Sequence, residues 1–230
     1  PSAKSRGDEG GVLYHGPGGR LMTAALSLTP TIDIEPGFID PVRDSQMIFR
    51  AVLDVMARPG QIATLPALAE RQDRLAPAST MICLALIDHE TPLWLDESLM
   101  IPGITGYLRF HTGAPLASSP SQASVAVLDG PSTSLTRFKT GSDAYPENGA
   151  TVIIQVPGLS ASGPLTLSGP GVDGEAGFGV EGLPDSFWKE REAVNAGFPR
   201  GVDLILCAGD KIAALPRTTR VSLHEVEGDQ

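Results

Sequence analysis

Lysine and histidine are scarce in this chain of 230 residues, with four of each. A Schiff-base cofactor such as pyridoxal phosphate requires a lysine. Lys4 lies in a Gly- and charge-rich leading stretch, Lys189 in a run of charged residues, and Lys211 in an Ala208-Gly209-Asp210-Lys211 turn. Lys139 is the remaining candidate, and the count speaks against that cofactor. No two histidines have a metal-ligand spacing, no serine sits in a Gly-x-Ser-x-Gly elbow, and there is no Walker phosphate loop. The expectation is no cofactor and no metal. The two cysteines, Cys83 and Cys207, lie far apart inside apolar runs, which reads as two buried thiols in a reducing cytoplasm. Basic residues are outnumbered 17 to 27, for a net charge of −10. That balance excludes a nucleic-acid footprint and does not favour a polyanion. No apolar run reaches the roughly 18 residues of a membrane span, so no membrane association is expected.

What the chain has in excess is Gly (26) and Pro (20), alongside 41% hydrophobic residues. This is the composition of a turn-rich globular protein of one domain. Residues 1–37 read as a flexible arm, with 1–21 as non-native sequence ahead of Met22, and 38–230 as a single α/β domain. Residues 44–58 have a helical apolar stripe (Ile48, Val52, Val55, Met56), with Asp44 as N-cap and Pro59-Gly60 as stop. Residues 78–87 are apolar all round and read as a buried helix capped by Ser79. Residues 106–112 read as a helix end with Gly113 as its left-handed cap, and 185–195 as an amphipathic helix capped by Asp185 or Ser186. Short strands are expected at 61–65, 93–95, 124–128, 151–156, 165–167 and 202–207. Two of these, 151–156 and 202–207, are almost wholly apolar, as central strands covered on both faces should be. The alternation predicts a three-layer α/β/α domain.

Gly169-Pro170-Gly171-Val172-Asp173-Gly174 matches the dinucleotide fingerprint G-x-G-x-x-G. A dinucleotide site needs a helix directly after the glycines, and the glycine-rich 175–182 cannot start one, so a plain mobile loop is expected. Two polar groups are left. Arg109, His111 and Thr112 at a helix end can hold an anion or move a proton, or brace their own turn. Arg217, Thr218, Thr219 and Arg220 can bind phosphate or pair with the acidic surface.

Phe49-Arg50, Met56-Ala57-Arg58-Pro59-Gly60, Thr91-Pro92-Leu93-Trp94-Leu95, Arg109-Phe110-His111-Thr112, Gly201-Val202-Asp203-Leu204-Ile205-Leu206 and Pro216-Arg217-Thr218-Thr219 follow one another in this order. In that order they resemble the PhnH family, the H subunits of bacterial carbon–phosphorus lyase systems, over about residues 37–224. The resemblance implies a mixed, mostly parallel sheet like that in the large domain of type I pyridoxal-phosphate transferases, without the cofactor. It implies a cytoplasmic homodimer that joins a core complex with the G, I and J subunits. There G, H and I, with L, exchange the adenine of ATP for an alkylphosphonate, giving α-D-ribose 1-alkylphosphonate 5-triphosphate. The chemistry is assigned chiefly to I, so no catalytic residue carries over to this chain. The 1–37 extension and the glycine-rich 169–184 stretch depart from the family pattern. The competing expectation is a stand-alone phosphonate- or nucleotide-binding enzyme with an Arg/His site at 109–113.

Overall fold

A computed structural model describes residues 34–69 and 74–223. The expectations for Met22 and for most of the arm lie outside the described residues. Helix α1 (Pro41–Ala57) starts four residues earlier than an N-cap at Asp44 would place it. Asp40, not Asp44, is the N-cap, and its carboxylate accepts the Arg43 amide at 3.1 Å. Asp44 instead accepts the Asp40 amide at 3.0 Å from inside the first turn. The two carboxylates thus satisfy amides at opposite ends of that turn, and Pro41 supplies a preset φ at its first position. Ile48, Val52 and Val55 are buried, and the helix stops at Arg58, ahead of Gly60 at φ +88°.

After strand β1 (Ala63–Thr64), helix α2 (Pro77–Leu86) runs through the core. Ser79 is not its cap: Pro77 opens the helix and Ser79 is buried within it. Strand β2 (Leu93–Leu95) leads to helix α3 (Pro102–Thr112), again opened by a proline and closed by Gly113 at φ +71°. Strands β3 (Val125–Asp129), β4 (Thr151–Gln155), β5 (Leu159–Ser168) and β6 (Glu175–Val180) precede helix α4 (Asp185–Asn195). Neither Asp185 nor Ser186 caps α4; the N-cap is Pro184 and no side chain bonds there. Strands β7 (Asp203–Ala208), β8 (Lys211–Leu215) and β9 (Arg220–Leu223) complete the described elements.

The main sheet has the order β1-β8-β7-β4-β3-β2. Its strands β2, β3, β4 and β7 pair in parallel, while β8 runs against them and pairs antiparallel with both β7 and β1. Side chains alternate between its faces with the strand period of two. Val127, Ile153, Ile205, Cys207, Ile212 and Ala214 face a core closed by α1, α2 and α3. Ala126, Leu128, Val152, Ile154, Leu204, Leu206, Ala213 and Leu215 face a second core. That second face carries α4 and an antiparallel sheet of order β6-β5-β9. The α/β class and the mixed sheet agree with the sequence, but the second outer layer is part sheet, not helices alone.

The second sheet also takes up the glycine-rich stretch. Residues 169–184 are not one loop: β5 and β6 pair as an antiparallel hairpin, with an irregularity between Ser160 and Leu165. A Cβ on Gly163 would sit 2.5 Å from the Gly179 Cα, so the two strands approach closely through paired glycines. At the hairpin tip, Gly171 (φ +84°) lies so close to the C-terminus of α1 that a Cβ would overlap the Ala57 carbonyl oxygen. The G-x-G-x-x-G string is therefore a tight turn packed on a helix end.

Cys83 and Cys207 are free and buried, as expected. Burial pushes the Cys207 thiol up to about 12 and the Cys83 thiol further still, Cys83 also feeling its neighbour Cys207. The unfolded chain then ionises these thiols first, at their ordinary value near 9.0, so it binds fewer protons than the native state at high pH. Stability should fall from about pH 9 towards pH 12. Denaturant melts across that window should show a smaller fall in Cys207→Ala than in the parent. Gly171→Ala should destabilise by about 2 kcal/mol through a strained left-handed alanine plus overlap. Gly174→Ala, equally left-handed at φ +68° but in open space, should cost about half that in the same melts.

Candidate functional site

The two polar groups singled out in the sequence lie on opposite faces of the main sheet. The first stands at the C-terminal end of α3. Arg109 is exposed and has no side-chain partner among the described residues. His111 Nε2 is 2.9 Å from the Glu35 carbonyl oxygen, and its ring packs 4.5 Å from Tyr107 and 5.0 Å, edge-on, from Phe110. The Tyr107 hydroxyl donates to the Pro36 carbonyl at 3.2 Å. A Cβ on Gly37 would lie 2.9 Å from His111 Nδ1, so the chain passes directly over the imidazole. His111 and Tyr107 thus strap residues 35–37 onto α3. Thr112 closes the helix: its hydroxyl donates to the Leu108 carbonyl at 2.6 Å and accepts the Ala114 amide at 3.1 Å.

The second group lies in the turn between β8 and β9. Arg217 Nε reaches both carboxylate oxygens of Asp203 at 3.2 Å, Nη2 reaches Oδ2 at 2.5 Å, and the Arg217 amide donates to Oδ1 at 2.7 Å. Nη1 donates to the Pro146 carbonyl at 2.6 Å. One guanidinium thereby ties the start of β7, the 146–149 turn and the β8–β9 turn together. Planar, forked donors make such a clamp, which an ammonium could not. A Cβ on Gly149 would lie 2.5 Å from the Gly201 carbonyl oxygen and 2.8 Å from Nη1, and the backbone contact is what requires glycine there. Thr218 is half-buried. Thr219 is buried, and its amide closes the turn on the Pro216 carbonyl at 2.9 Å.

Beneath the same turn lies Arg191, which the sequence shows only as one member of the inward stripe of α4. It is 2% exposed. Nη1 donates to the Thr219 carbonyl at 3.0 Å, and Nη2 to those of Pro216 (2.8 Å) and Leu215 (3.2 Å). Burial pulls its pKa down to about 10, the charge of Asp203 opposing the fall, so it stays cationic at neutral pH. An arginine beside Phe187 and Trp188 on an inward stripe is itself the signal, because a buried guanidinium demands several acceptors.

A cleft of about 640 Å³ opens beside these residues, between the C-terminal half of α4 and the 216–222 segment. Arg191, Arg217, Thr218, Thr219 and Arg220 line it, and Glu192 is its one acidic lining residue. Lys139 does not reach a comparable position; its ammonium donates to Ser124 Oγ at 3.0 Å. Among the described residues no group of His, Cys, Asp and Glu is placed to hold a metal ion.

Open α/β sheets commonly bind ligands outside the carboxyl ends of strands whose connections diverge to opposite faces. Here the divergence falls between β2, followed by α3 on one face, and β3, followed by Leu135 and Phe138 on the other. A pocket of about 460 Å³ lies next to this crevice, at the carboxyl ends of β3 and β4, lined by Asp129, Gly130, Gln155, Val156, Pro157 and Gly182. The polar side chains around it are engaged in internal hydrogen bonds. Asp96 Oδ2 accepts from Ser132 Oγ at 2.5 Å and from the Asp129 amide at 3.3 Å. Gln155, at the end of β4, accepts the Ala76 amide and donates to the Arg74 carbonyl at 3.0 Å.

Since Arg217 and Asp203 are mostly buried and mutually satisfied, Arg217→Ala should destabilise the protein by about 3 kcal/mol in denaturant melts. Arg217→Lys should recover less than half of that loss, because a point charge cannot reproduce the fork.

Comparison with known proteins accords with this geometry. A family model described as bacterial phosphonate metabolism protein (PhnH) matches residues 36–222, which contain both polar groups and the cleft. The alpha-D-ribose 1-methylphosphonate 5-triphosphate synthase subunit PhnH of Rhizobium meliloti (strain 1021) is 35% identical over 186 residues, covering 80% of this chain and 93% of that protein. The HtxG protein of Stutzerimonas stutzeri, named as a candidate C-P lyase subunit, is 45% identical over 85 residues, or 37% of this chain and 44% of that protein. With the match running from the strap before α1 through β9, the chain belongs to the PhnH family of bacterial phosphonate metabolism proteins.

Proposed function

We propose that this chain is an accessory subunit of a carbon–phosphorus lyase core complex, acting in phosphonate catabolism. In that role it is needed with the G and I subunits to make α-D-ribose 1-alkylphosphonate 5-triphosphate from ATP and an alkylphosphonate. The observation that carries the reading is the near end-to-end match to a synthase subunit, 93% of whose length is covered. The side-chain geometry supports it. His111, Thr112 and Arg217 are engaged in bracing their own backbone, which leaves them poor candidates for acid–base work. The site would then be completed on another chain.

The G, I and J subunits are the partners in this reading, together with a second copy of the chain, in the cytoplasm. The arm at 1–37 would precede a single domain at 38–230, related to the large domain of type I pyridoxal-phosphate transferases; the mixed, mostly parallel sheet supports that kinship. Exposed apolar side chains support a partner-dependent role as well. Val42, Phe49 and Leu53 form one stripe along the outward side of α1, with Ile39 just ahead of it.

The test is reconstitution from co-expressed subunits. Product from ATP and methylphosphonate should form only when this chain is present, and it should co-purify with G, I and J. Synthesis at full rate by the other subunits alone would reject the role. Phe49→Glu with Leu53→Glu, at exposed positions, should leave the melting temperature near the parent value and lower the yield of assembled complex.

A further inference from the structure

Three buried side-chain polar atoms lack a hydrogen-bond partner among the described residues: Ser79 Oγ, Arg191 Nε and Thr219 Oγ1. Two of the three belong to residues that line the cleft beside α4. Native proteins rarely leave such groups unsatisfied, so a pair of them at one cleft calls for a reason. Both are hydrogen-bond donors, and the guanidinium is an obligate one.

The charge around them has the same sense. Arg191 is cationic and hydrogen-bonds neutral carbonyls, with the Asp203 carboxylate acting on it at longer range. Arg217 is neutralised by Asp203, whereas Arg220 is exposed and has no ion pair among the described residues. Against these arginines stands one lining carboxylate, Glu192. In a chain of net charge −10 this is a local reversal of sign.

We propose that the cleft is an oxyanion site for a phosphoryl or phosphonyl group carried on an organic body. A tetrahedral oxyanion offers several acceptor oxygens, enough to take donors from Arg220, the Thr219 hydroxyl and Arg191 Nε together. Arg191 Nε and Thr219 Oγ1 lie under the cleft surface, so seating the anion requires a small shift of the 218–219 turn toward it. The volume argues for the organic body. About 640 Å³ falls within the roughly 300–1,000 Å³ usual for small-molecule sites and far exceeds a bare phosphate. Pro170, Ala196 and Val221 add apolar wall, and Phe198 stands exposed on the lining as a surface for a planar group to stack on.

The test is titration of the isolated chain by calorimetry with inorganic phosphate, methylphosphonate and ATP, so the result is independent of whether other subunits assemble. All three should bind saturably, and one of the two organic ligands should bind tighter than phosphate, which identifies the source of the anion. Thr219→Val and Arg220→Ala remove one donor each without disturbing the Arg191–carbonyl contacts. Each should weaken binding about tenfold, the size of one charge-assisted hydrogen bond. Phe198→Ala should weaken ATP, the ligand with a planar group, and leave phosphate and methylphosphonate unchanged. Unaltered melting temperatures would confirm that these variants fold. Absence of saturable binding by all three ligands, affinities unchanged in both donor variants, or phosphate binding as tightly as both organic ligands would each overturn the proposal.

Discussion

Parallel strands that are apolar on both faces must be covered twice, and most of this architecture follows from that requirement. In β4, Val152 and Ile154 point one way and Ile153 the other, and each is fully buried. The same holds for Leu204, Ile205 and Leu206 in β7. At about 25 cal/mol per Å² of apolar surface, leaving either face wet would cost far more than a domain of this size has in net stability. One face is closed by α1, α2 and α3. The other receives α4 and the β6-β5-β9 sheet, which extends the cover where no further helix is available.

Covering two faces brings chain ends and turns against the sheet, where backbone groups lose water. Long-range polar side chains satisfy them. Gln155 at the end of β4 serves the Ala76 amide at the start of α2. Arg191 serves three carbonyls of the β8–β9 turn, and Arg217 clamps that turn to Asp203 and to the Pro146 carbonyl. These contacts turn the polar motifs of the family into joints. In this chain the arginines of those motifs hold its own loops in place. The cleft beside α4 differs from the rest, because its donors exceed the acceptors the chain supplies.

Much of the fold was legible in the sequence. The stripe Ile48-Val52-Val55 and the breaker Pro59-Gly60 are local signals, and α1 ends where they say. The almost wholly apolar 151–156 and 202–207 runs read as central strands, and β4 and β7 are the two middle strands of the main sheet. Start points were read less well. Asp44 and Ser79 look like caps because their residue types favour that position, but Asp40-Pro41 and Pro77 open those helices one turn or less upstream. The glycine-rich 169–184 stretch reads as a loop because no apolar alternation survives there. Its strand pairing depends on close backbone approach, which leaves no trace in side-chain periodicity. At the candidate site the polar residues were visible one by one, while Arg191 passed as part of an amphipathic stripe.

Composition and local pattern alone determined the α/β class, the buried thiols and the family likeness, because each rests on residue type and short-range order. Tertiary structure decided which polar residues share a neighbourhood. Arg109 and Arg217 are equally conspicuous in the sequence, yet the sheet puts their surroundings on opposite faces. Arg191 and Thr219 are 28 positions apart and in contact, because α4 packs across the β8–β9 turn. No local rule encodes that contact. It is set by which element covers which face of the sheet, and so the cleft and its unsatisfied donors belong to the packing, not to any single stretch of chain.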